Sequence, residues 1–389
     1  MISQEEMKQF ESQAEELDFQ SLDKLTPAPK PSLGYHEPDE VIRHIQASEE
    51  IVKISLEDLA VNGEVKAEPM EEYLKNPANG SSDLKNVLIT PFHYYASKNA
   101  LYEREKKDHF QLGTFVHMAF LEPELFERVI VEPRASLSSH DGCDTLIKFY
   151  EDQIIKALEA RLIKVADYKL LQLQKPDLGK IDSKKSYIEV LKSFCPYQAV
   201  SEHHKNLIDY ISRQYYRYGN GIIPRLLKGA VKEVSFYAED PETGLPVKVR
   251  PDGFQIAENI GVDAVISFKT TQAGDLRKFF YDTAAYQYEL SEGMYQEVIS
   301  HVTGREVKTT IMVMLQTVEP YMCAVLWWDA EDLENGKYKY RHALSIIKDC
   351  YDSGKFPGFD AMAEKGHMGI VKMKQPNWAM KELLPVEIS

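Results

Sequence analysis

The stretch Val247–Thr271, VKVRPDGFQIAENIGVDAVISFKTT, decides the fold. It reads as a strand over Val247–Ile256 that carries Pro251-Asp252, a Gly-containing connection, and a second strand, Val262–Lys269, ahead of a threonine pair. Side chains alternate along a strand, so Asp263, Val265, Ser267 and Lys269 share one face while Ala264, Ile266 and Phe268 take the other. An acid on one strand and a lysine on the next suit a hard divalent cation held through carboxylate oxygen, with the lysine orienting water or steadying charge on phosphate. Such a site calls for a second carboxylate, and two residues before Lys269 the chain has Ser267. Serine can hold a metal-bound water but brings no charge. Asp263 shares the face, yet four residues of unbroken strand put it roughly 13 Å from Ser267.

Outward from this segment the elements fall into an α/β order. Strands are expected at Val231–Glu239, Lys308–Thr317 and Tyr321–Trp328, the last two hinging on Glu319-Pro320, with helices over Asp275–Ser300 and Glu331–Asp352. This predicts one mixed sheet with helices on its faces. Helix starts are read at Ile89-Thr90-Pro91 and Gly113-Thr114, the second ended by Glu122-Pro123. Residues 136–230 read as a mostly helical insertion, and 1–83 as an N-terminal extension, partly flexible, with a proline-rich linker at Thr26–Glu40 and a helical region around Asp39–Ala60. The main domain is expected over 84–380, with a tail at 381–389.

Composition narrows the function. A formal charge of −15 argues against a protein that coats nucleic acid through a general basic surface, though a focused basic cleft is compatible with it. Arg277 and Lys278, just past the lysine strand, are one candidate DNA-contacting patch; others are Arg104/Lys106/Lys107, Arg213/Arg217 with Arg225/Lys228, and Lys365/Lys372/Lys374. The four cysteines are widely spaced and form no CxxC pair, which speaks against structural zinc, a disulfide framework and an iron–sulfur cluster. The N-terminus lacks a signal-peptide pattern, and no apolar run approaches the ~18 residues of a membrane span. Reduced cytoplasm and no membrane are the expectations.

Five ordered segments carry a resemblance: GTFVHMAFLEPELF (Gly113–Phe126), KVRPDGF (Lys248–Phe254), FKTT (Phe268–Thr271), YELSEGMY (Tyr288–Tyr295) and YRHALSIIKDCYDSGKFPGF (Tyr340–Phe359). Together they resemble the exonuclease VIII (RecE-type) branch of the PD-(D/E)XK nucleases over roughly residues 84–380. The resemblance implies a restriction-endonuclease-like core and a metal-dependent deoxyribonuclease. It places metal ligands on His117 and Asp252 and the lysine of the motif on Lys269. Glu233 resembles an acid often found on the first strand in these nucleases; beside the site or merely at a strand edge are equal readings.

Two positions depart from the family. Ser267 stands where the motif has an acid, and Ser291 stands where a Q-x-x-x-Y helix has glutamine, with Tyr295 retained. Gln287, one turn before Ser291, is a candidate to fill the vacated space. The resemblance further implies Mg²⁺ or Mn²⁺, linear duplex DNA ends resected 5′-to-3′, a homo-oligomeric ring, and a single-strand-annealing recombinase partner, often in phage settings. The competing reading of the two serines is a catalytically impaired nuclease fold that binds DNA ends or protein.

Overall fold

The structure, a computed structural model, describes residues 34–47, 50–99, 120–121 and 128–374. Five strands lie side by side in the order β10 (Cys323–Trp327), β9 (Thr309–Gln316), β8 (Ala264–Thr271), β7 (Gly253–Gln255) and β4 (Val231–Lys232). β8 and β9 are parallel and the other neighbours antiparallel, so the sheet is mixed. A smaller antiparallel sheet joins β1 (Glu64–Lys66), β5 (Ser235–Glu239) and β6 (Pro246–Val249), while β2 (Val129–Glu132) and β3 (Gln198–Ser201) form a parallel pair.

The helices that build the layers are α1 (Ser81–Ile89), α2 (Pro91–Lys98), α3 (His140–Glu159), α4 (Ile181–Phe194), α5 (Glu202–Arg217), α6 (Leu276–Ala285), α7 (Tyr288–Thr303) and α8 (Ala330–Ser353). The alternation of β8 decides what each face meets. Ala264, Ile266 and Phe268, with Ile311, Val313 and Leu315 of β9, pack against Leu207, Ile208, Ile211 and Tyr215 of α5. On the opposite face Val265 joins Phe254 and Val249 in a core with Leu290, Met294 and Val298 of α7, Tyr340 and Leu344 of α8, and Leu84 of α1. α3 and α4 build a third core of their own around Tyr150, Ile154, Ile188 and Leu191.

Three segments expected as continuous elements are broken. The strand over Val231–Glu239 splits at Glu233, whose φ of 52° turns the chain from the large sheet into the small one. Val247–Ile256 splits around Arg250–Asp252 into β6 and β7, which also belong to different sheets. The helix expected over Asp275–Ser300 ends at Ala285 and restarts at Tyr288, with Gln287 at φ 50° between them. Left-handed backbone is costly for a side chain with a Cβ, so the surrounding packing holds the turns at Glu233 and Gln287, where neither residue is a glycine. The segment before Leu84 takes part in the fold: β1 pairs with β5 and Leu59 is fully buried. Among the described residues no helix is long and apolar enough to cross a membrane.

Candidate active site

The face of β8 that carries Ser267 and Lys269 looks toward α7. Asp252 reaches this face from the turn between β6 and β7, where the Phe268 amide donates to its Oδ2 at 2.5 Å. The Lys269 ammonium lies 3.6 Å from the same oxygen. Burial disfavours the Lys269 charge, but the Asp252 and Glu292 carboxylates outweigh it and hold the lysine above its ordinary pKa. The strand pair thus brings together the acid and the lysine read from the sequence.

Ser267 is fully buried, and its Oγ donates to Glu292 Oε2 at 2.7 Å. Glu292 comes from α7 and is itself 0% exposed; among the described residues its Oε1 has no hydrogen-bond partner. Burial raises its pKa, Asp252 adds to that, and Lys269, the Ser267 hydroxyl and Lys85 work in the opposite direction without cancelling it. A carboxylate therefore stands beside the position where β8 has none.

A second lysine converges on the same place. Lys85 of α1 and Lys269 both lie over the Tyr288 ring, 5.5 Å and 5.7 Å from its centroid. Contact with one aromatic ring offsets part of the cost of two neighbouring ammoniums. Burial first, and the Lys269 charge second, lower the Lys85 pKa to about 8. Tyr295, two turns beyond Tyr288 along α7, is raised above the ordinary phenol range by burial and by the Glu292 and Asp252 charges, and its hydroxyl bonds the Ser81 side chain.

Glu233 is a buried residue, which removes the strand-edge surface reading. Its amide donates to the Asp252 carbonyl at 3.3 Å, and Arg250 Nε donates to its Oε2 at 3.1 Å. Arg250 is tied further to the Glu68 carbonyl and Ser235 Oγ, so the charge pair fixes the turn that presents Asp252.

The remaining candidates are placed as follows. Ser291 is buried on α7 next to Glu292. Gln287 holds the N-cap position of α7 in left-handed backbone, four residues before Ser291, and makes no side-chain cap bond; its Oε1 is buried without a partner among the described residues. Arg277 is exposed near the start of α6, and Lys278 pairs with Asp282 along that helix. Asp263 precedes β8 and is held by Arg305 at 2.8 Å and by the Ala257 amide at 3.0 Å. His117 lies outside the described residues. Among the described residues no group of three or more His, Cys, Asp or Glu side chains is placed to hold a metal ion. A cavity of about 530 Å³ lined by Asn62, Glu239, Asp240 and His301 includes none of the site residues.

Glu292, Lys85 and Tyr288 escaped the reading by motif. A signal for two of them exists: Tyr288, Glu292 and Tyr295 recur at i, i+4 and i+7, which puts an acid on one helix face between two tyrosines.

Comparison with known proteins agrees with this picture at the level of the family. Among solved structures, one from Eubacterium rectale, named as a candidate exonuclease, has 11% identity and a TM-score of 0.44, covering 82% of this chain and 100% of its own. Another, named SSO0001, has 12% identity and a TM-score of 0.22, covering 64% of this chain and 89% of its own. A search of curated proteins finds no match. The family described as a PDDEXK-like domain of unknown function (DUF3799) matches residues 80–365, most of the chain. With its five-stranded mixed sheet between helices, the restriction-endonuclease-like arrangement, the chain belongs to this PDDEXK-like family.

Proposed function

We propose that this protein is a divalent-metal-dependent deoxyribonuclease of the exonuclease VIII type that processes the ends of linear duplex DNA. The observation that carries the reading is the grip on Asp252: one carboxylate oxygen held by the Phe268 amide and 3.6 Å from the Lys269 ammonium. An acid and a lysine held this close together support phosphodiester hydrolysis as the reaction.

The residues fit a hard cation. The donors are carboxylate oxygens, from Asp252 and from a Glu292 whose Oε1 has no partner among the described residues, and oxygen donors of this kind suit Mg²⁺ or Mn²⁺. His117, a ligand by resemblance, would add a nitrogen donor. When bound, the metal supplies Lewis-acid polarisation of the phosphate and a more acidic water. Lys269, kept charged by its carboxylate neighbours, orients the attacking water and stabilises negative charge on the phosphate. Lys85 places a second cation beside it, and Arg277 and Lys278 offer backbone phosphates a contact beyond the catalytic strand. The resemblance adds a homo-oligomer and a single-strand-annealing recombinase as partner.

The test is hydrolysis of linear duplex DNA with Mg²⁺ or Mn²⁺, run beside Asp252→Asn and a chelator control. Metal-dependent cleavage that disappears in Asp252→Asn supports the reading. Saturable binding to DNA ends with neither cleavage nor metal binding overturns it in favour of a nuclease-fold binding module.

A further inference from the structure

We propose that Glu292 supplies the acid that β8 lacks at Ser267, the carboxylate having moved from the strand to the facing helix, with Ser267 acting as its positioning residue. The inference rests on the nuclease reading and names the second oxygen ligand of that site.

Three observations converge. Ser267 stands two residues before Lys269 on the same strand face, and its hydroxyl donates to Glu292 Oε2 at 2.7 Å, so the helix delivers a carboxylate to the vacant position. The same strand links this acid to the first one, because the residue after Ser267 offers its amide to Asp252. Finally, a fully buried carboxylate with one oxygen unpartnered among the described residues is an expensive structural residue. Glutamine or an aliphatic side chain would fill the same space at less cost. A divalent cation shared with Asp252 would meet the unpartnered oxygen.

Strand acid and helix acid exclude one another. An aspartate at 267 would set a second carboxylate against Glu292 in a dry site, where like charges repel strongly. The small serine leaves room for the longer glutamate and turns a like-charge contact into a hydrogen bond. The register of Glu292 is fixed by its neighbour, Gly293, where a β-carbon would come within 2.6 Å of the Lys337 amide of α8.

The experiment titrates Mn²⁺ alone into the full chain by calorimetry and electron paramagnetic resonance, without DNA. Wild type binds saturably and Asp252→Asn does not. Glu292→Gln weakens Mn²⁺ affinity by about 10–100-fold, the usual cost of disturbing a metal shell, with the circular dichroism of the folded protein retained. Ser267→Ala weakens it less and alters the resonance of bound Mn²⁺, a change that a merely space-filling serine would not produce. The swap Ser267→Asp with Glu292→Gln regains affinity, whereas Ser267→Asp alone does not improve on wild type. Should Glu292→Gln fail to fold, Glu292→Asp, which shortens the reach by one methylene, is expected to lose affinity in its place. Wild-type affinity in the Glu292 variants, with binding still abolished in Asp252→Asn, overturns the inference and leaves the nuclease reading standing. No Mn²⁺ binding by wild type overturns both.

Discussion

Gly336 of α8 lies against the backbone of Glu289 in α7 so closely that a β-carbon at Gly336 would sit 1.9 Å from the Glu289 carbonyl oxygen. This contact sets how deeply the helix that carries Glu292 docks on the sheet. Gly336→Ala must push the two helices apart, and overpacking of this kind costs about 1–3 kcal/mol, more where only backbone can yield. The expected result is a melting temperature lowered by several degrees together with weaker Mn²⁺ binding. An unchanged melting temperature would show that the helices do not meet in this way.

Lys269→Ala should abolish metal-dependent cleavage, with a loss of at least about 100-fold, while Mn²⁺ binding persists, because the lysine acts on water and phosphate and holds no metal. Single-turnover assays beside the Mn²⁺ titration separate the two effects. Cleavage at the wild-type rate in this variant would remove Lys269 from the chemistry.

Glu292 makes stability depend on pH. Its pKa is raised in the folded protein, chiefly by burial, so the native state holds the proton more tightly than the unfolded chain. Its contribution is fully present below the ordinary carboxylate value of 4.5 and is lost as pH rises through the raised folded value. Metal-free Glu292→Gln should therefore be more stable than wild type at pH 7, with a flatter profile above pH 4.5 in urea unfolding. A steeper fall in the variant would contradict the assignment.

Lys85 should titrate near 8, below an ordinary lysine, because partial burial and the neighbouring Lys269 charge both disfavour its ammonium. Removing that charge in Lys269→Met should move the Lys85 titration upward. Methyl resonances of reductively ¹³C-methylated lysines report both values, and an unmoved Lys85 signal would separate the two ammoniums.

Arg250→Met takes the guanidinium from a buried Glu233 that it meets at 3.1 Å, and breaking such a pair from one side costs about 3–5 kcal/mol. Replacing Glu233 by Gln should cost less, since Arg250 keeps the Glu68 carbonyl and Ser235 Oγ. Denaturant midpoints of the two variants give the comparison; equal losses would mean that the pair does not hold the turn at Asp252.

The sequence by itself determined the faces of β8, because a period of two is a local property that packing only confirms: Ser267 and Lys269 look one way, and Ala264, Ile266 and Phe268 enter the core behind them. The mixed sheet between helices was legible for the same reason, since alternation and helical periodicity survive in each segment taken alone. The tertiary structure decided the breaks at Glu233 and Gln287, where non-glycine residues take left-handed backbone that local propensity disfavours. It also decided which acid completes the site. Glu292 lies 25 residues from Ser267, and the spacing that sets it between Tyr288 and Tyr295 on one helix face does not tie it to Ser267 until α7 docks on α8 and the sheet. Only that long-range packing converts a serine at the vacant position into a contact with a buried carboxylate.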